Sequence, residues 1–118
     1  MRIDRRRLEQ SINELGKIGA TPRGGLTRVA LTDEDKRGRD WLVNRMKEAG
    51  LRVTVDQMGN MFARRSGQDD TLPPVMMGSH LDTQPTGGKF DGNYGVLAGL
   101  EVVRTLNDLK IQIGRAHV

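Results

Sequence analysis

The sequence predicts an α/β protein with helices packed on a mixed sheet. Apolar residues recur at helical spacing in three segments, short apolar or alternating runs lie between them, and glycine- and proline-rich loops separate the two kinds of segment. The resulting order is helix, helix, strand, strand, strand, helix, which suits helices layered on a sheet.

Residues 4–18 are predicted as the first helix, because Leu8, Ile12 and Leu15 share a face and Gly16 loosens its end. The loop Thr21-Pro22-Arg23-Gly24-Gly25 follows, where proline restricts its predecessor and paired glycines permit unusual backbone angles. A second helix is predicted to start near Thr32. Thr32 and Asp35 have the spacing of a capping box, with Asp in place of Glu, and Asp33 and Glu34 suit the positive end of the helix dipole. Leu42, Met46 and Ala49 form its apolar face, and Gly50 stands where a C-terminal glycine cap belongs. Leu51–Asp56 alternates apolar and polar as a strand does. Met58-Gly59-Asn60 reads as a turn, and Met61–Arg64 as a returning strand. Val75-Met76-Met77 is consistent with a strand buried on both faces. From Tyr94 the pattern is helical again, with Val96, Leu100 and Val103 on one face.

The chain has 118 residues, enough for one domain, and such a domain buries roughly two thirds of its unfolded surface. Its aromatics are few: Trp41, Tyr94, Phe62 and Phe90. The core must rest on aliphatic residues and six methionines. Lys and Arg outnumber Asp and Glu by 19 to 15, a net charge of +4. Arg2, Arg5, Arg6 and Arg7 crowd the start. A basic run of this kind suits a nucleic-acid-binding module, but no aromatics interleave to stack on bases. A solvated helix face beside the Leu8, Ile12, Leu15 stripe is the better reading. With no cysteine, any metal must be held by nitrogen and oxygen donors. No signal-peptide core and no bilayer-length apolar run occur, so the expectation is a cytoplasmic protein with no membrane or nucleic-acid partner.

The most informative stretch is Gly78-Ser79-His80-Leu81-Asp82-Thr83, followed by Gly87-Gly88-Lys89-Phe90-Asp91-Gly92. It sets one histidine and two carboxylates on a glycine-rich backbone. His80 is a candidate metal ligand. Asp82, two residues on, shares its side of an extended backbone and suits a supporting carboxylate. Asp91 has two oxygens and suits a bridge between metal ions. Read alone, His80 is more often a hydrogen-bonded structural residue than a ligand, Asp82 is equally a turn former, and Asp91 most commonly marks a surface Asp-Gly turn. Neither a phosphate-binding glycine motif nor a nucleophile elbow is present. Two ligands are too few for a complete catalytic metal site.

The run from Gly78 to Glu101 closely resembles the N-carbamoyl-L-amino acid hydrolases. Zinc-dependent β-ureidopropionases and allantoate amidohydrolases are relatives, all within the dizinc aminoacylase and carboxypeptidase superfamily. The resemblance extends upstream through Thr21–Arg28, Ala30–Asp35, Gly38–Trp41 and Asp56–Asn60. It implies the N-terminal part of a catalytic, metal-binding domain over residues 1–112. Its terms are His80 and Asp91 as metal ligands, Asp91 bridging, and Asp82 as the acidic residue supporting His80 at the catalytic centre. Two divalent metal ions are implied, zinc (Zn) first, with Mn, Co or Ni as alternatives. The implied substrate is a small ureido or amide compound, and the full-length relative a homodimer. An aminoacylase or dipeptidase of the same superfamily is the alternative. Ala63 departs from the glycine common at that position. The family's Glu-Glu pair and later histidines do not appear, which implies a fragment inactive alone. Ile113-Gly114-Arg115-Ala116-His117-Val118 looks like a translated vector or adapter scar, so residues 113–118 are expected to be a non-native tail and His117 stays outside the site.

Overall fold

The structure, a computed structural model, describes residues 1–118. Its regular elements are α1 (Arg5–Leu15), α2 (Asp33–Glu48), β1 (Arg52–Val55), β2 (Met61–Arg64) and α3 (Asn93–Asp108). The Asp4 carboxylate caps α1 by accepting from the Arg7 amide at 3.1 Å, which satisfies one of the free amides of the first turn. Leu8, Ile12 and Leu15 are buried where α1 meets α3, each contributing about 1.5–3 kcal/mol of hydrophobic stabilisation.

The basic start is not wholly a solvated face. Arg7 leaves it to grip Glu101 of α3, donating from Nε at 2.9 Å and from Nη2 at 2.8 Å. Glu101 is 1% exposed, and Arg7 also pairs with Asp108 at 2.8 Å. The predicted stripe has one face, and the partner helix supplies a buried acid at its edge.

Thr32 caps α2 as its spacing predicts, its hydroxyl accepting from the Asp35 amide at 3.2 Å. Asp35 does not close the box on Thr32. Its carboxylate accepts from the Leu31 amide at 3.1 Å instead. The helix ends before Gly50, whose φ of +78° is the left-handed conformation that ends helices.

β1 and β2 pair antiparallel, with Arg52 opposite Arg64 and Val55 opposite Met61. Asp56 builds the turn between them: its carboxylate accepts from the Met58 and Asn60 amides at 2.9 and 2.8 Å. This hydrogen bonding, with the Asn60 side chain first, lowers the Asp56 pKa.

The mixed sheet is reduced to this hairpin, a sheet of two strands. Val75–Met77 is not a buried strand. Val75 is 44% and Met76 63% exposed, and the segment is tied only by isolated bridges. His117 bridges Arg65 in antiparallel sense and Val75 in parallel sense. Residues 116–118 thus lie between the end of β2 and residues 75–77, with the Met77 amide donating to the Val118 carbonyl at 2.8 Å. The core is formed by Leu8, Ile12, Leu15, Leu42, Leu51, Leu81, Leu97, Leu100 and Val103. Leu81 brings the histidine-bearing loop into it. No helix is long and apolar enough to cross a membrane.

Candidate metal centre

Burial alternates along residues 80–83, with Leu81 and Thr83 6% and 5% exposed and the His80 and Asp82 side chains half-exposed, the pattern of an extended chain. In an extended chain neighbours point oppositely, so anchoring Leu81 in the core turns His80 and Asp82 outward together. The next chain segment to reach them is the start of α3. Gly92 makes that approach possible. Its φ is +69°, and a Cβ there would strike the His80 carbonyl oxygen and lie 2.6 Å from the imidazole Nδ1. Gly95 does not open the helix, as its place before the apolar run suggests, but lies inside the first turn. A Cβ on it would come 2.8 Å from the Ser79 Cβ. Two glycines therefore let α3 lie directly on residues 79–80, with Asp91 just before its first turn.

The structure brings the three sequence-predicted residues together. His80 Nε2 is 3.9 Å from Asp91 Oδ1. His80 Nδ1 is 2.9 Å from the Asp82 backbone carbonyl oxygen and 3.6 Å from its carboxylate. A carbonyl oxygen only accepts, so Nδ1 carries a hydrogen, which leaves Nε2, the ring nitrogen nearer Asp91, as the one available to bind a metal ion. The closest support to the ring is thus the Asp82 main chain; the carboxylate stands farther off. The side chains are accessible, at 50% for His80 and 75% for Asp91.

This pair fits a divalent cation. Two donors about 2.1 Å from one tetrahedral zinc ion stand roughly 3.4 Å apart; the observed 3.9 Å is somewhat wider, a gap that small rotations of the two accessible side chains close. A neutral imidazole nitrogen and a carboxylate oxygen are suitable donors for zinc and its neighbours. No group of three or more His, Cys, Asp or Glu side chains gathers to hold an ion, so the set present is two donors.

Sequence reasoning missed the residues that hold this loop. Arg28 is fully buried. Its Nε donates to the Leu81 carbonyl at 3.0 Å, Nη1 to the Leu15 and Ile18 carbonyls at 2.9 and 3.0 Å, and Nη2 to Asn93 Oδ1 at 2.7 Å. Burial lowers its pKa, opposed by the charges of Asp35 and Asp82; a guanidinium remains charged regardless. The Arg28 amide donates to the Thr83 hydroxyl at 2.8 Å, and the Thr83 amide returns to the Arg28 carbonyl at 2.7 Å. An arginine in a glycine-rich loop carries no periodic signal, so only its place in the family-like run Thr21–Arg28 marked it.

His80 and Asp82 stand on the rim of an open groove of about 680 Å³, floored by apolar residues including Leu42, Met46, Leu51 and Met61.

No protein-family model matches the chain. It is 54% identical over 111 residues to an N-carbamoyl-L-amino-acid amidohydrolase of Rhizobium meliloti, covering 94% of this chain and 27% of that protein. It is 39% identical over 104 residues to the ureidoglycolate hydrolase of Arabidopsis thaliana, covering 88% of this chain and 22% of that one. Its fold superposes on the crystal structure of a hydantoinase/carbamoylase family amidase from Burkholderia ambifaria with a TM-score of 0.96 and 58% identity, over 98% of this chain and 28% of that one. The chain spans about a quarter of the length of these relatives. Both kinds of comparison find this chain similar to enzymes named amidohydrolases or amidases. Over the part of those proteins that it spans, the chain is similar in sequence and in fold to hydantoinase/carbamoylase-family proteins.

Proposed function

We propose that this chain supplies part of the metal centre of an amidohydrolase that cleaves a non-peptide C–N bond in N-carbamoyl amino acids or related ureido compounds. One observation carries the reading: His80, tied at Nδ1 to the Asp82 carbonyl, turns Nε2 toward Asp91 at 3.9 Å. The 54% identity to an N-carbamoyl-L-amino-acid amidohydrolase supports the substrate class.

In this reading His80 and Asp91 hold divalent ions, zinc by preference, with manganese, cobalt or nickel as substitutes. Asp91 has a second oxygen for a second ion. Asp82 orients His80. A bound divalent ion supplies Lewis acidity, polarising a carbonyl oxygen and making water more acidic. The chain's own part is to fix the imidazole tautomer and present both donors on the same side. The general base and the remaining ligands are proposed to come from the part of the family's length that this chain does not span.

Titration of the chain with Zn²⁺ by calorimetry tests the site. His80→Ala and Asp91→Asn are each expected to weaken binding at least tenfold, and unchanged binding in both contradicts the reading. No robust hydrolysis of N-carbamoyl amino acids is expected from the chain alone; rapid turnover would overturn the two-donor site. In the full-length enzyme, ureido substrates should be preferred to N-acyl amino acids and dipeptides. A preference for the latter points to an aminoacylase or dipeptidase instead.

A further inference from the structure

We infer that Arg28 is a positioning residue that sets the tautomer of His80 and the distance from His80 to Asp91. The inference rests on the reading that His80 and Asp91 share a divalent ion.

The guanidinium reaches both halves of the site without touching either donor. Leu81, whose carbonyl accepts from Nε at 3.0 Å, lies between His80 and Asp82. Asn93, whose side-chain oxygen accepts from Nη2 at 2.7 Å, is two residues past Asp91. Asn93 in turn donates to the Lys89 carbonyl at 3.2 Å, and its amide donates to the Asp91 carbonyl at 2.7 Å. One planar group thus holds the backbone carrying His80 and the turn carrying Asp91, while Nη1 fastens both to the end of α1 through Leu15 and Ile18.

All four acceptors of the Arg28 guanidinium are neutral. Burying a charge among neutral acceptors is a poor way to stabilise a fold, because the charges of Asp35 and Asp82, which make no hydrogen bond to the guanidinium, offset its desolvation only in part. It is a good way to fix direction, since the guanidinium fork is rigid and its donors diverge in one plane. Space is reserved for it: a Cβ on Gly38 of α2 would lie 2.8 Å from Arg28 Cδ.

The chain of cause is short. The Nε bond holds the Leu81 carbonyl and with it the peptide plane joining Leu81 to Asp82. The Asp82 carbonyl, which takes the hydrogen from His80 Nδ1 at 2.9 Å, lies in the next peptide plane, whose Thr83 amide donates to the Arg28 main-chain carbonyl at 2.7 Å. Arg28 thus holds both peptide planes flanking Asp82, one by its side chain and one by its main chain; releasing the Leu81 carbonyl leaves Asp82 held on one side only, free to turn its carbonyl away from the imidazole Nδ1. Releasing Asn93 instead leaves the tautomer intact and loosens only Asp91.

The test reads the His80 ring nitrogens by ¹⁵N NMR on the full 118-residue chain, with His117→Gln to assign the signals. Zn²⁺ affinity is measured alongside. The unsubstituted chain should show His80 protonated at Nδ1 only, with Nε2 shifting on Zn²⁺ addition. Arg28→Lys keeps the charge but loses the fork; mixed tautomers and at least tenfold weaker Zn²⁺ binding are expected, with helical circular dichroism retained. Asn93→Ala should keep the tautomer and weaken Zn²⁺ severalfold, and it decides the matter should Arg28→Lys not fold. Asp4→Ala, which removes the cap at the opposite end of α1, should change neither readout. Wild-type tautomer and affinity in both folded site variants would overturn the inference. So would an equal change in Asp4→Ala, because the effect would then follow stability alone. An unsubstituted chain whose Nε2 ignores Zn²⁺ defeats the metal reading, while the tautomer comparison still decides what Arg28 does to His80.

Discussion

Gly92 shows how much of the site depends on a missing side chain. It has φ of +69°, and any Cβ would collide with the His80 carbonyl and ring. Gly92→Ala combines a left-handed backbone penalty with overpacking, roughly 2–4 kcal/mol together. Chemical denaturation should show that loss, and the variant's Zn²⁺ affinity should fall with it as His80 and Asp91 are pushed apart. A loss below about 0.5 kcal/mol would contradict the contact. At this scale the candidate residues His80 and Asp91 stand out in the sequence, because histidine and aspartate in a glycine-rich loop are chemically conspicuous. Arg28 and Asn93 do not, because their roles depend on carbonyls and amides from segments far along the chain. Asp82 was legible as a neighbour of His80, but not the atom that lies closest to the ring, the main-chain oxygen at 2.9 Å, which every residue possesses.

Among the elements, α1 and α3 are joined by the Arg7–Glu101 pair as well as by their apolar stripes. Glu101 is buried, so removing its cation alone strands a charge, a loss of about 3–5 kcal/mol. Arg7→Met should show that loss in urea or guanidinium unfolding, and Arg7→Met combined with Glu101→Leu should recover much of it. Strictly additive losses would mean that the pair is not coupled. The helices and the hairpin were legible from local signals: Thr32 caps α2, Gly50 ends it, and Asp56–Asn60 turns the hairpin. Val75–Met77 failed as a buried strand because burial comes from what lies against a segment, not from the segment's own residues. The solvated reading of the arginine run failed at Arg7 for the same reason, since the acid that takes it up stands 94 residues away.

For the whole molecule, the chain spans about a quarter of its relatives and leaves one face open. The groove beside His80 is floored by apolar residues, and its rim exposes Leu31 fully and Met58 at 86%. The amides of residues 78–82 donate to no other backbone carbonyl. A segment whose amides meet no backbone carbonyl, lying beside an apolar groove, is a surface that proteins ordinarily cover. The composition foretold a modest core, but not which face would stay bare. The centre itself is tested most directly by a crystal structure of the chain grown with Zn²⁺, using anomalous scattering at the zinc edge. A zinc ion bonded to both His80 Nε2 and an Asp91 carboxylate oxygen, each at about 2.0–2.2 Å, is the expected result. Zinc bound elsewhere, or to only one of the two, would contradict the shared site.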